Sequence, residues 1–480
     1  MKGLADNPSY IIELMEDGVT LEDVVDGHIY EQALAEKNAF VVADLGSLMR
    51  QHVCWQTIVP HLQPYFPVKS NSNPLVIEVL ASLGLGFVCA NKAEVNLVLE
   101  NGVPPENIIL SGVCKQLAQI KHAAKNNIQH LVCENETELS KISRFHPLQS
   151  KLLVQLTTEA HAAETSMAFG SSLKSCRHLL EAAKKLGVQV VGVTFHIPSS
   201  CQDLQEAYTH ALSDARCVFD MAVSILVQHG HPGHWWGFTG SECQLKLVES
   251  AIRPLLDAYF PPLSGVQVLA EPGGFYVASA FSLAVNIIGK KFEVELLNYL
   301  CDPIHFFPDG NNDNTEFLYY MNEGVYGPFS QKLLGNTIAH KKVSFKVDRS
   351  ICFSVSLQPV GPSLDQLDQV VERCLLPEVF VGTGSSSPTW GLLDWTTAPA
   401  RQAPLSCLCT TQCLSQTGQY ARVNIFNLFF SFSTWVKDRG GQTNYSSGFP
   451  PKCLCIWLHP SFQLFLQSSQ SPLRKSSPIA

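Results

Sequence analysis

The sequence predicts a (β/α)₈ barrel joined to a C-terminal β domain. Three observations carry this. From Pro64 onward, short β-prone runs alternate with helical patterns. The connections between them are brief, and after Pro272 the alternation gives way to long β runs. Alternation with short connections makes the strands parallel, and this many units suggests closure. At 480 residues the chain exceeds one ordinary core, which suits a barrel plus a smaller unit.

Taken in order, Ala39–Leu45 is a β run that precedes the barrel, and residues 1–45 are expected to pack with the β domain. The barrel, residues 46–279, opens with Tyr65–Lys69. It continues through Gly86–Ala90, Ile108–Ser111, His130–Glu134, Leu152–Leu156, Val190–Ile197 and Val266–Glu271. Helical patterns fill the intervals at Pro74–Leu83, Lys92–Glu100, Lys115–Asn126, Thr137–Phe145, Leu173–Leu186 and Gln205–Ala222. One strand is still due in Gln228–Phe238, and there the pattern fails. Ala280–Lys290 and Glu316–Asn322 begin the β domain, residues 280–400. Between Phe380 and Ala480 only Asp394 and Asp438 are acidic, and Ser, Pro, Thr, Gln and Cys dominate. Residues 401–480 are therefore expected to be a low-complexity or disordered tail.

Net charge is −9, with both signs interspersed, which excludes the basic stripe of a nucleic-acid binder. Met1–Asp6 lacks an apolar signal core, and no apolar run reaches membrane-spanning length. The expected location is the cytoplasm, and the nucleus as well. The 16 cysteines read as scattered reduced thiols. Cys407, Cys409 and Cys413 lack the C-x-x-C spacing of a zinc site, so no metal is expected. Lys69 stands at the C-terminal mouth of the first barrel strand, where an aldehyde cofactor can be captured as a Schiff base. Most lysines are solvated surface charges, so its neighbours decide its meaning.

Those neighbours carry a resemblance. Pro64–Asn71, Phe87–Glu94, Val191–His196, Ala270–Gly273 and Asn322–Gly327 resemble ornithine decarboxylase and its relatives. Met1–Gly3, Leu212–Ala222 and Cys374–Glu378 are most similar to that family's catalytically silent branch, which binds antizyme. The resemblance implies a pyridoxal-phosphate (PLP) barrel. Lys69 matches the Schiff-base lysine, His196 the imidazole stacked on the ring, and Glu271 the carboxylate paired with the pyridine nitrogen; Ser199 belongs with these cofactor positions.

Other positions depart from the family pattern. Val88 replaces an acidic residue, Gln155 a basic one, Gly274 the phosphate-gripping arginine and Leu364 a cysteine, although Asp365 remains; Glu323 stands for an aspartate. His234-Trp235-Trp236-Gly237-Phe238 replaces the glycine-rich phosphate loop, and indoles block the backbone approach that glycines permit. No cofactor is therefore expected, and Lys69, His196, Ser199 and Glu271 are read as vestigial packing and hydrogen-bonding residues. The alternative is an active PLP-dependent decarboxylase of ornithine or a related basic amino acid, with Lys69, His196 and Glu271 catalytic.

The expected partner is antizyme, met by a segment Lys115–Ser140 that matches the family's binding element. Lys115, Gln116, Lys121, His122, Lys125 and Glu138 are the expected contacts, with Leu117, Ile120 and Ala124 as the inward stripe. A monomer is expected, associating at most weakly with decarboxylase-like subunits. Three segments also read as displaced in frame. Allowed back-translations of His231–Phe238, Gln358–Gly361 and Thr383–Gly391, shifted in frame, approach the family's glycine loop and two of its β-domain segments. A frame-disrupted translation of a family gene accounts for all three.

Overall fold

The computed structural model describes residues 10–15, 19, 21–33, 38–146, 150–159, 169–197, 201, 203–226, 233–235, 242–293, 316–327, 329, 343–345, 354–363, 365–370, 374–377, 390–395 and 405–410. Two strands precede the barrel, β1 (Tyr10–Met15) and β2 (Phe40–Asp44). The barrel strands are β3 (Gln63–Pro67), β4 (Gly86–Cys89), β5 (Ile108–Leu110), β6 (His130–Cys133), β7 (Lys151–Gln155), β8 (Gln189–Thr194), β9 (Gly233–Trp235) and β10 (Gln267–Ala270). They pair in parallel, in chain order, and β10 returns to β3 with Ala270 opposite Pro64.

Alternate residues of each strand face opposite sides, and both sides are apolar, as a doubly covered parallel sheet requires. Tyr65, Val88, Ile109, Val132, Leu153 and Leu269 form a separate buried cluster in the lumen. Their neighbours Phe66, Phe87, Cys89, Leu110, Leu131, Cys133, Val154 and Ala270 join the large core shared with the helices. Phe66 and Phe87 meet edge to face at 6.3 Å between ring centroids.

Local chemistry starts and stops the helices. Asn73 accepts from the Leu75 amide at the head of Pro74–Ser82, with Pro74 in the first turn. Asn91 and Glu94 cap each other reciprocally at the head of Lys92–Glu100. Asn135 caps the helix Glu136–Phe145, and Ser172 caps Leu173–Leu186, which ends on Gly187 at φ +66°.

The structure differs from the sequence reading in three places. The strand sought without success in Gln228–Phe238 is β9, lying between β8 and β10. β3 stops at Pro67, and Val68–Ser70 form one turn of 3₁₀ helix, so Lys69 sits one turn beyond its strand. Leu405–Thr410, expected within a tail, forms a strand between β1 and β2, parallel to both. Residues 411–480 lie outside the described residues.

The second sheet is organised by β11 (Phe281–Glu293). Its first half pairs antiparallel with β2 on one side and with Trp390–Trp395 on the other. Its second half pairs with Glu316–Met321, beyond which Ser354–Val360 and Cys374–Pro377 follow. A knot holds two of its loops together. The buried Asp368 carboxylate accepts from the Val325 amide at 2.7 Å and the Ser363 amide at 3.0 Å. No helix among the described residues is long and apolar enough to cross a membrane.

Candidate functional site

Two places hold the residues singled out in the sequence. The first is the C-terminal mouth of the barrel. Lys69 is exposed on its 3₁₀ turn, and the helix Gly273–Val277 packs so tightly on that turn that a Cβ at Gly273 would overlap the Ser70 hydroxyl. Glu271, immediately after β10, is brought within electrostatic reach of Lys69. Burial pushes its carboxyl up to about 7, and the Lys69 charge draws it partly back. His196 is exposed after β8, its carbonyl accepting from the Thr158 hydroxyl at 2.8 Å. Val88 is buried in the lumen below. Ser199 and Leu364 lie outside the described residues, as do the side chains of 233–238.

These groups fit only part of a pyridoxal phosphate. Lys69 suits the aldehyde, and Glu271 suits the ring nitrogen. At the other end Gly274 offers no side chain where the resemblance calls for a guanidinium, so the described residues do not fit the phosphate. Glu323, which stands where the family pattern has an aspartate, has its carboxyl raised above the usual range by burial.

The second place is the pair of helices after β5 and β6, α5 (Leu117–Lys125) and α6 (Glu136–Phe145). Lys121 and Lys125 are exposed, as expected from their spacing of four. Gln116 is exposed at the N-cap, where its amide donates to the Gln119 side chain at 2.8 Å. His122 reaches Asn96 at 2.8 Å, and burial together with the Lys92 and Lys125 charges lowers its pKa.

Two expected contacts need correction. Lys115 and Glu138 are not on the exposed face: each side chain is 1% exposed, and they pair with each other at 3.1 Å. The inward stripe is also displaced. Ile120 and Ala123 are buried, Ala124 is half-buried and Leu117 is 37% exposed. The helix begins at Leu117, so that side chain sits on the rim of the first turn rather than over the barrel.

Sequence reasoning stopped at Ser140 and so missed what the second half of α6 adds to the same surface. Lys121 and Arg144 both lie over the Phe145 ring, at 5.0 and 5.3 Å from its centroid. The available signal was Lys141 and Arg144, three apart on α6, which share a helical face.

Comparison with known proteins decides the family. The family model described as "Pyridoxal-dependent decarboxylase, pyridoxal binding domain" matches residues 45–278. Antizyme inhibitor 1 of Pongo abelii is 44% identical over 475 residues, covering 96% of this chain and 99% of that protein. The chain belongs to the ornithine decarboxylase family. Ornithine decarboxylase of Mus musculus is 43% identical over 379 residues, covering 77% of this chain and 79% of its own. The fold is shared with solved amino-acid decarboxylases. The arginine decarboxylase of Paramecium bursaria Chlorella virus superposes with a TM-score of 0.67 at 22% identity, over 80% of this chain and 99% of that one.

Proposed function

We propose that this chain is a non-catalytic member of the ornithine decarboxylase family that binds antizyme. Binding would release ornithine decarboxylase from inhibition and degradation, and so raise polyamine synthesis and uptake. The observation that carries this reading is 44% identity, over almost the whole chain, to a protein named antizyme inhibitor 1. The exposed cations Lys121, Lys125 and Arg144 add a surface suited to an acidic partner. On this reading the chain acts as a monomer in cytoplasm and nucleus, and Lys69, His196 and Glu271 are vestigial.

One observation favours a second reading. Lys69 and Glu271 still share the barrel mouth, as a PLP-dependent decarboxylase of a basic amino acid would need. An absorbance scan with added PLP separates the two. The first reading expects no protein-bound pyridoxal band and no carbon dioxide release from ornithine. A band or turnover abolished by Lys69→Ala would establish the second.

The antizyme reading is tested by reversing charge at Lys121→Glu and Lys125→Glu. Both side chains are exposed, so stability should change by only about ±0.5 kcal/mol. Antizyme affinity should fall about tenfold, chiefly through slower, salt-sensitive association. Equal affinity of variant and parent would remove this face from the interface.

A further inference from the structure

The loop between β5 and α5 is held in an unusual way. The Lys115 ammonium is turned inward, donating to the Gly112 carbonyl at 3.1 Å, to the Val132 carbonyl, and to Glu138 Oε1 at 3.1 Å. The same Glu138 oxygen accepts from the Lys115 amide at 2.8 Å. From the next turn of α6, Lys141 donates to the Lys115 carbonyl at 3.0 Å. One residue earlier, Cys114 adopts φ +51°, a left-handed conformation that side chains rarely accept without support. On either side of this anchor Val113 and Leu117 are 48% and 37% exposed.

We infer that Lys115 and Glu138 form a buried latch that positions the Val113–Leu117 loop for antizyme, and that neither side chain touches the partner. This rests on the antizyme reading above. A buried, mutually neutralised pair adds little to the surface field, so it cannot act through long-range attraction. What it does is fix backbone that would otherwise have to be ordered on binding, and preorganisation of that kind improves affinity mainly by slowing dissociation.

The test is a titration of antizyme against the full chain and five variants, Lys115→Met, Glu138→Gln, Lys121→Ala, Val113→Ala and the Val113→Ala/Lys115→Met double, at several salt concentrations. Lys115→Met and Glu138→Gln should each weaken binding about tenfold through faster dissociation, with the salt dependence of the parent. Lys121→Ala should instead reduce the salt dependence. Val113→Ala combined with Lys115→Met should lose less than the product of the single losses, because the latch acts through Val113. Glu138→Gln keeps an acceptor for the Lys115 amide and carries the test if Lys115→Met fails to fold. Unchanged affinity in that variant would make the pair merely structural. A reduced salt dependence would make it a direct contact, and multiplicative losses with Val113→Ala would uncouple it from the loop. Each of these outcomes overturns the proposal. Failure of the parent chain itself to bind antizyme would overturn the underlying reading, and the latch with it.

Discussion

A buried histidine and a half-buried glutamate pull stability in opposite directions with pH. His52 lies within the helix Leu45–Ile58, its Nδ1 2.9 Å from the Tyr276 hydroxyl, and burial lowers its pKa to about 4. Its neutral form is the one the fold accepts. The full contribution is therefore present above pH 6.5 and is lost as pH falls toward 4, by about 3 kcal/mol. Glu271 runs the other way. Its carboxyl is raised to about 7, so the fold prefers it protonated, and stability falls as pH rises from 4.5 to 7, again by about 3 kcal/mol. Glu271→Gln should leave urea stability near that of the parent at pH 4.5 and exceed it at pH 8. His52→Gln should flatten the acid limb between pH 6.5 and 4. A Glu271→Gln difference that stayed constant from pH 4.5 to 8 would show that its ionisation carries no cost.

At the scale of elements, the strand formed by Leu405–Thr410 bridges two strands from the other end of the chain. It joins β1 to β2, pairing with six residues of the first and four of the second. A chain ending at residue 404 should expose one edge of β2, and β2 amides should then exchange with solvent faster than in a chain ending at residue 410. Identical β2 protection in the two chains would show that the strand contributes nothing. Seven of the eight barrel strands were legible because strand and helix periods alternate, and their ends fall within a few residues of the expected ones; β9 was not. Leu405–Thr410 was not, since its partners lie 395 and 364 positions earlier in the chain and the sequence around it has the composition of a linker. The candidate site was legible in part. Glu271, Lys121 and Lys125 sit where their strand and helix positions imply, and Lys69 one 3₁₀ turn beyond its expected strand. Lys115 was misread because nothing local marks a lysine as buried. Only the return of Glu138 from the following βα unit provides its counter-charge, and that contact spans 23 positions in the chain.

For the whole molecule, the barrel closes through a segment whose side chains bear no family pattern. β9 pairs with Gly192–Thr194 on one side and with Gln267 and Val268 on the other, through main-chain hydrogen bonds that any sequence can make. Backbone closure is thus tolerant of a changed reading frame, whereas a phosphate loop, which depends on glycine, is not. If the frame is displaced, this difference accounts for a barrel that closes through Gly233–Trp235 although the family's glycine loop is missing from His231–Phe238. Gln358–Gly361 tells the same story: residues 358–360 pair in register with Leu318–Tyr320, although the motif that should follow is absent. If frame displacement is the cause, the transcript should read Ile-Leu-Asp-Ile-Gly-Gly-Gly across the first segment after one nucleotide is inserted or removed upstream, and should show matching lesions near the other two. Sequencing the cDNA checks this. An uninterrupted transcript encoding Trp235 and Trp236 as written would make the lost loop a product of divergence, and the frame explanation would fall at all three positions.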